Sequence, residues 1–372
     1  MFKDILNKEK ITEIKENFKE ESEIINTFNK VFFKGIDMRA SDIHIEPHIE
    51  FYIIRFRIDG ILENFLKLEK NIGIGLISRI KILTGLDIGE KRLPQDGRFK
   101  GKIEKIKLDF RVSTIGTLKG ERCVIRILSK NTELSLENIG LSDENYEIIK
   151  RNLNKTSGII IISGPTGSGK TTTIYSMLKY LNNEEKNILT IEDPVEYEVE
   201  GISQVQYKNE IGLSFSNVLR GFLRQDPDIL FIGEIRDKET GEIAIRAALT
   251  GHLVLTTVHA KDAVGILERM KDLGLDMNLL INGILFLQSQ RLLKRRCKFC
   301  ENGCDKCNKG FKGRILMEEI LEFDEKIRNI LKENLNLIKF KEQIQYKNFY
   351  ERGKVLFDKK EISWKEFIKE CD

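Results

Sequence analysis

Short apolar runs alternate with polar segments along most of this chain. The spacing of apolar residues within these runs changes near residues 36 and 158. Residues 1–35 show helical periodicity among many charges, so we expect a short helical lead-in there. From 36 to 130, DIHIEP, FYIIRFRIDGIL, IKLDFRVSTI and CVIRIL have the pattern of strands, and NIGIGLISRIKILTG has that of a helix. This mixture predicts a small α/β domain.

A different pattern begins at residue 158. The apolar runs GIIIIS, NILTI, DILFI and HLVLTT are separated by helical stretches. Strands that alternate with helices predict a parallel sheet covered on both faces, and we assign this second domain to 158–322. The polar segment 131–157 is predicted to be a linker, and the Lys- and Glu-rich residues 323–372 to be C-terminal helices.

The composition narrows the class of protein. It is that of a soluble globular protein, with 41% hydrophobic and 32% charged residues. The 62 basic and 58 acidic side chains leave a net charge of +4, which argues against a dedicated nucleic-acid binder. The apolar segment 277–293 is interrupted by Asn, Gln and Ser, and the N-terminus lacks an apolar signal core. We therefore expect a cytoplasmic protein without a membrane span.

The segment GPTGSGKTT matches the phosphate-loop pattern G-x-x-x-x-G-K-[ST] between an apolar strand and a helical run. Its glycines let backbone amides turn toward phosphates, Lys170 can neutralise the β- and γ-phosphates, and the Thr171 hydroxyl can ligate Mg²⁺. The predicted ATP-binding residues are Gly164, Pro165, Thr166, Gly167, Ser168, Gly169, Lys170, Thr171 and Thr172.

Two acidic segments follow the loop. TIEDPVEY brings Glu192, Asp193 and Glu196 to the carboxyl end of a strand, where a carboxylate can orient an attacking water, although a solvated acidic turn has the same pattern. In DILFIGEIRD, Glu234 closes a buried strand about 60 residues after the loop. An acid in that position is suited to holding Mg²⁺ through water.

Two of the four histidines lie at opposite ends of another apolar strand, in GHLVLTTVH. His252 precedes the strand and His259 follows it. Either histidine can serve the nucleotide site, and either can instead be a structural residue whose hydrogen bonds are satisfied within the fold.

Four of the six cysteines form two CxxC pairs, Cys297 with Cys300 and Cys304 with Cys307. Four thiolates complete a closed tetrahedral zinc site, so we predict that this cluster binds Zn²⁺. Only three residues separate the pairs, which requires the tight turn that Asn302-Gly303 favours. A redox pair or free thiols remain the alternatives.

Taken in order, these elements resemble the secretion ATPases of type II secretion and type IV pilus assembly over about residues 38–322. The segments that resemble the family's N-terminal domain are ASDIHIEP, FRIDG, KRLPQDGR, RVST and GER. Those that resemble its phosphate loop, aspartate box, Walker B segment and histidine box are GPTGSGKTT, TIEDPVEY, LRQDPDILFIGEIRD and TGHLVLTTVHA. The CxxC pairs followed by GFKGR resemble its metal-binding region.

The resemblance implies a fold and roles for single residues. It implies a RecA-like ATPase domain at 158–322, joined to a smaller PAS-like α/β domain at 36–130, in a ring-shaped hexamer. By this comparison Glu196 is the general base, Glu234 is the magnesium-associated acid, and His252 and His259 lie in the active site or at an interface. The HAKDA segment after the histidine box departs from the family's Thr-Asn.

The resemblance also implies that arginines of the N-terminal domain reach the nucleotide. Arg98 in PQDGR and Arg111 in FRVST occupy matching motif positions, and Arg57 in FRIDG matches less closely. Each of them can instead be a solvated or salt-bridged arginine.

The implied function is a hexameric motor that converts ATP hydrolysis into domain rotation. It would drive pilus or pseudopilus assembly, protein secretion or DNA uptake, against an inner-membrane platform protein. Because about 35 residues precede the shared region, we expect a short form without the family's docking domain. A retraction motor, a nucleic-acid translocase on the same core and a non-hydrolysing scaffold are the alternatives. The tetracysteine cluster argues against the first, and the charge balance argues against the second.

Overall fold

A computed structural model describes residues 11–13, 22–103, 106–129, 135–300, 303–304, 307, 309–333 and 336–371. The chain divides into two compact units, Met1–Thr132 and Glu133–Asp372. Within the described ranges, no helix combines the length and apolar character needed to cross a membrane.

Unit 1 is a sheet with helices packed against it. Its elements are β1 (Ile11–Glu13), α1 (Glu23–Asp37), β2 (Asp42–Pro47), β3 (Phe51–Ile58), β4 (Ile61–Glu69), α2 (Lys70–Thr84), β5 (Gln95–Ile103), β6 (Ile106–Thr117) and β7 (Gly120–Ser129). Over the described residues the strand order is β1-β5-β6-β7-β2-β3-β4. Alternate side chains of β3 are buried, as a sheet with one covered face requires.

The core of unit 1 is aromatic where the helices meet the sheet. Phe28 and Phe32 of α1 stack at 4.2 Å between ring centroids, and Phe32 meets Phe110 of β6 edge-on at 5.2 Å. Phe99 of β5 stacks on Phe110 at 4.7 Å. These contacts pack β5 and β6 against α1. Because side chains alternate along a strand, the residues next to Phe99 and Phe110 lie on the face of the sheet opposite α1.

Residues 1–35 were predicted to be a helical lead-in, and the structure has both a strand and a helix in this range. Helix α1 begins at Glu23, whereas Ile11–Glu13 pairs in parallel with β5 as an edge strand. The apolar residues Ile5, Leu6, Ile14 and Phe18, on which the prediction rested, lie outside the described residues.

Unit 2 carries the phosphate loop. It begins with α3 (Asp143–Leu153), β8 (Gly158–Ser163), α4 (Lys170–Leu181), β9 (Ile188–Glu192), β10 (Ser203–Gln206), a 3₁₀ turn (Asn209–Ile211), α5 (Phe215–Phe222) and β11 (Ile229–Ile232). It continues with α6 (Lys238–Leu249), β12 (Leu253–Val258), α7 (Ala263–Asp272), α8 (Met277–Gly283), β13 (Ile284–Arg296) and β14 (Phe311–Glu322). The helices α9 (Glu325–Glu333), α10 (Leu337–Gln343), α11 (Phe349–Asp358) and α12 (Trp364–Cys371) complete it.

The sheet of unit 2 has the order β10-β9-β11-β12-β8-β13-β14 over the described residues. Its neighbouring strands are parallel except for the antiparallel pair β13–β14. Both faces are covered, because Ile159 and Ile161 of β8 pack into one core and Ile160 and Ile162 into the other. The carboxyl ends of β8, β9, β11 and β12 therefore meet at one edge, where ligands bind in such folds.

Helix α3 and the C-terminal helices pack against the sheet of unit 2. The predicted linker contains α3, whose Ile149 and Leu153 are fully buried against the β8 side of the sheet. Helices α11 and α12 pack on β13 and β14 through a separate apolar cluster that includes Leu293, Met317 and Phe367, whereas α9 and α10 pack into the larger core. Helices α11 and α12 are thus anchored to the two strands that follow β8 in the sheet order.

Candidate functional site

The phosphate loop connects the buried strand β8 to the first turn of α4. Gly164, Gly167 and Gly169 adopt φ angles of 147°, 82° and 89°, which side chains disfavour. A Cβ at Gly164 would lie 2.4 Å from the carbonyl oxygen of Gln290, so only glycine fits there. The resulting turn and the N-terminus of α4 form a site for an anion.

Lys170 begins α4 and turns back over the loop. Its Nζ donates hydrogen bonds to the carbonyl oxygens of Gly164 at 2.6 Å and Pro165 at 3.2 Å. Burial lowers the pKa of Lys170, and the negative charge of Glu234 partly opposes this shift. The next residue, Thr171, is exposed in the first helical turn, where its hydroxyl is accessible to a metal ion.

Strand β13 packs against the phosphate loop and hydrogen-bonds to its backbone. The fully buried Gln290 donates its side-chain amide to the carbonyl oxygen of Ser168 at 2.8 Å, and it accepts a hydrogen bond from Gln288 at 3.1 Å. Residues 165–167 form the exposed rim of the loop, while Thr172 is half-buried in α4. The loop is therefore held by buried polar side chains of β13.

Glu234 lies at the carboxyl end of β11 beside Lys170. Its side chain is 20% exposed and accepts a hydrogen bond from Arg236 Nε at 2.6 Å. Arg236 also pairs with Asp193 at 3.2 Å, and the hydrogen bond to Glu234 raises the pKa of Arg236. His259 Nε2 lies 3.8 Å from Glu234 Oε2. A fixed carboxylate next to the loop lysine can hold a magnesium ion through water.

A buried polar network holds the segment that carries Glu196. The Glu196 N–H donates to Tyr175 Oη at 3.3 Å, and Tyr175 donates to Glu192 Oε2 at 2.5 Å. Thr190 and Gln204 donate to the other Glu192 oxygen at 2.7 and 3.1 Å. Because Tyr175 and Lys170 both belong to α4, this network ties the acidic segment to the phosphate-loop helix.

The structure places His252 at the opposite end of β12 from this edge of the sheet, and its role in the nucleotide site or at an interface stays a prediction. His252 precedes β12 and hydrogen-bonds to Ala247 at 3.0 Å, while its carbonyl oxygen accepts from Gly158 at the start of β8. At roughly 3.3 Å per residue, the six residues of β12 separate it from His259 by about 20 Å. His252 is therefore a helix-end residue with a satisfied ring nitrogen.

The predicted arginines occupy adjacent strands of unit 1. Arg98 pairs in register with Arg111, and Arg111 pairs with Arg126, which in turn pairs with Asp42. Arg126 Nε donates to Asp42 at 3.0 Å, and Arg57 lies 3.8 Å from the same carboxylate. Residues in register share a face, so this row presents several guanidinium groups beside a cavity of about 410 Å³.

The four cysteines of the CxxC pairs come together as predicted. The sulfur atoms of Cys297, Cys300, Cys304 and Cys307 all lie within 4.8 Å of one another. Three of the separations are 3.3, 3.7 and 4.0 Å. A tetrahedral site with Zn–S bonds of about 2.3 Å requires sulfur–sulfur separations of about 3.8 Å, so the cluster fits a zinc ion.

Sequence reasoning missed Tyr175, Arg236, Gln290 and Arg126. Polar residues in the apolar run ILFLQSQRLL were the available signal for Gln290, since a buried polar side chain needs a partner. No pattern in the sequence indicates Tyr175 or Arg126, because their roles depend on contacts between distant segments.

Comparisons with known proteins agree over most of the chain. A model of the family described as "Type II/IV secretion system protein" matches residues 17–369. Type II secretion system protein E of Dickeya dadantii is 41% identical over 338 residues, covering 84% of this chain and 68% of that protein. Type II secretion system ATPase E of Vibrio cholerae is 40% identical over 340 residues, with coverages of 84% and 68%.

Solved structures show the same architecture. The ATPase DotB of Legionella pneumophila superposes with a TM-score of 0.75 at 22% identity, over 96% of this chain and 98% of that one. The pilus retraction motor PilT, solved with bound ADP, superposes with a TM-score of 0.66 at 28% identity, over 94% and 97%. These likenesses confirm the predicted α/β fold class.

Proposed function

Because this chain belongs to the type II/IV secretion system protein family, we propose that it works as a hexameric motor that powers pilus or pseudopilus assembly or protein secretion. The family makes it an ATP-hydrolysing enzyme. One observation carries the proposal for the site: Lys170, Glu234 and His259 meet at the carboxyl edge of the parallel sheet. That edge also receives Glu196, through its link to α4.

Each residue then has a chemical role in phosphoryl transfer. The backbone amides of the loop and Lys170 would hold the phosphates, and Thr171 and, through water, Glu234 would hold a Mg²⁺ ion that neutralises phosphate charge. Glu196 orients and deprotonates the attacking water, and Arg236 keeps Glu234 in place. His259 Nε2 lies 3.8 Å from Glu234 Oε2, which supports a role for His259 beside the transferred phosphoryl group.

The tetracysteine cluster is assigned a structural zinc ion. Four protein sulfurs leave no open coordination position, so this ion would stabilise the connection between β13 and β14 and take no part in hydrolysis.

The arginine row of unit 1 is assigned to catalysis in the assembled ring. Arg98 and Arg111 would supply positive charge to the transition state when the smaller domain or a neighbouring subunit closes on the nucleotide. Turnover would then depend on assembly, and each hydrolysis event would be coupled to a domain rotation. An inner-membrane platform protein would receive that motion.

The test is a measurement of mass in solution and of hydrolysis across a protein concentration series, with and without ATP. We expect a rate per subunit that rises with concentration as larger species form. Glu196→Gln should bind ATP and assemble but hydrolyse it at least about 100-fold more slowly. A constant rate per subunit with only monomers present would contradict the ring mechanism, and stimulation by DNA would favour a translocase instead.

A further inference from the structure

The loop between β12 and α7 carries His259 and is held from one side by three groups. Arg291 of β13 donates to the Lys261 carbonyl oxygen at 3.4 Å, and Glu319 of β14 accepts from the Ala263 N–H at 2.6 Å. Lys341 of α10 pairs with Asp262 at 2.8 Å. We name residues 259–263, the loop together with the first residue of α7, the histidine loop.

Arg291 and Glu319 also hold the C-terminal helices. The second oxygen of Glu319 accepts from the N–H of Phe349, the first residue of α11, at 2.9 Å. The Arg291 guanidinium lies 4.5 Å from the centroid of the Phe349 ring and donates to the carbonyl oxygen of Glu370 in α12. Both side chains therefore contact the histidine loop and the C-terminal helices at the same time.

Glu319 is well suited to link two elements. It is 1% exposed, and each of its oxygens accepts one backbone N–H at the start of a helix, where a carboxylate also meets the positive end of the helix dipole. A shift of the histidine loop thus breaks a buried hydrogen bond unless α11 moves with it, and an unsatisfied buried group is costly.

The same linkage borders the nucleotide site. A cavity of about 370 Å³ is lined by residues 164–165 of the phosphate loop, by residues 259–261, and by Arg291 and Glu370. The last helix of the chain therefore faces the same space as the phosphate loop.

We propose that Arg291 and Glu319 are positioning residues that couple the histidine loop to α11 and α12, so that the state of the nucleotide site sets the position of the C-terminal helices. This inference rests on the proposed function only in assigning ATP to the phosphate loop. The contacts that define the coupling exist within unit 2 alone.

The first test is amide hydrogen exchange in the intact chain without nucleotide. Glu319→Gln keeps the shape but turns one acceptor into a donor, so one of the two helix starts loses its partner. Because Glu319 joins the two segments, loss of either bond should loosen both, and we expect exchange to accelerate at least about tenfold in the histidine loop and in the first turn of α11. The matched control is Glu322→Gln on the same strand, whose carboxylate holds Arg151 and Asn152 of α3 and should leave both segments unchanged.

The second test is steady-state hydrolysis and nucleotide-dependent exchange. Arg291→Lys retains the charge but loses the forked contacts to Lys261 and Glu370, and we expect kcat to fall about tenfold with an unchanged KM. An ATP analogue should slow exchange in α11 and α12 of the wild type and do so less in both variants. Identical exchange of α11 in wild type and Glu319→Gln, with or without the analogue, overturns the coupling. Absent hydrolysis in the wild type would contradict the proposed function but leave the first test decisive.

Discussion

The hydroxyl of Tyr175 lies 2.5 Å from a carboxylate oxygen of Glu192, and both side chains are buried beneath the segment that carries Glu196. Burial raises the pKa of Glu192, and three donors counteract that shift. Tyr175 belongs to α4, the helix that begins with Lys170. The Tyr175 hydroxyl therefore connects the phosphate-loop helix to the segment of the proposed general base.

Removing that phenol should affect turnover more than binding. Tyr175→Phe leaves Glu192 without its closest donor, which should lower the free energy of unfolding by about 1–3 kcal/mol. The Glu196 segment loses a hydrogen bond that fixes it, so we expect kcat to fall roughly tenfold while KM for ATP stays within about twofold. Urea unfolding and steady-state kinetics measure the two effects.

Tyr180→Phe is the matched control, since Tyr180 lies on the same helix and, within the described part of the chain, its hydroxyl accepts only an exposed hydrogen bond of 3.5 Å from Asn154. It should leave kcat and stability nearly unchanged. Equal kinetics of the two variants would show that Tyr175 does not position the general base.

The strands that could be predicted were those whose burial pattern is local. β8, β9, β11 and β12 are short apolar runs bounded by loops, and each matches a predicted strand. β13 was missed because its first half is apolar on both faces and continues directly from α8, so no period separates helix from strand. β5 was missed because its segment, QDGRFKGKI, contains few apolar residues.

The candidate site shows the same division. The phosphate loop, Glu234 and the cysteine pairs are carried by contiguous motifs, so spacing alone located them. Arg236 and Gln290 act through contacts that only the folded sheet creates. The sequence does not show which end of a strand faces the ligand, and parallel pairing of β12 with β8 places His252 and His259 at opposite edges of the sheet.

The cysteine cluster should bind one zinc ion per chain. Cys304→Ser removes one thiolate from the set, and we expect the zinc content of the purified protein to fall from about one equivalent to near zero. Amide hydrogen exchange in residues 309–314, at the start of β14, should accelerate, because the bound metal supplies the folding energy that a hydrophobic core supplies elsewhere. Cys371→Ser, which lies in α12 next to Met317, serves as the control and should keep its zinc. A wild-type protein that takes up no zinc after exposure to it would contradict the assignment.

Glu319 should give stability a definite pH dependence. Burial raises its pKa from 4.5 to about 7, Asp262 adds to the shift, and the two backbone N–H donors and Arg291 oppose it. Tyr346 also faces this carboxylate.

Between pH 4.5, the ordinary pKa of a glutamate, and about pH 7, the pKa of Glu319 in the fold, the folded state binds more protons than the unfolded state. The stabilisation from Glu319 is therefore complete below about pH 4.5 and is lost as the pH rises through about 7. Urea unfolding of the wild type and of Glu319→Gln across this pH range gives the free energy of unfolding at each pH. The contribution of Glu319 is the difference between the two proteins in how steeply that free energy changes with pH. Parallel curves for the two proteins would show that Glu319 does not titrate there.

The arginine row of unit 1 gives the largest expected loss of activity. Arg111 lies in register between Arg98 and Arg126, and a phosphoryl-transfer site without its arginine is slower by about 10³ to 10⁵. We expect Arg111→Ala to lower kcat by about 10³ while ATP binding, measured by calorimetry, changes little. Arg55→Ala is the control, since Arg55 is held by Glu46 at 2.7 Å in the same unit. If both variants hydrolyse ATP at the wild-type rate, Arg111 does not supply the charge that completes the transition state, and its proposed catalytic role is wrong.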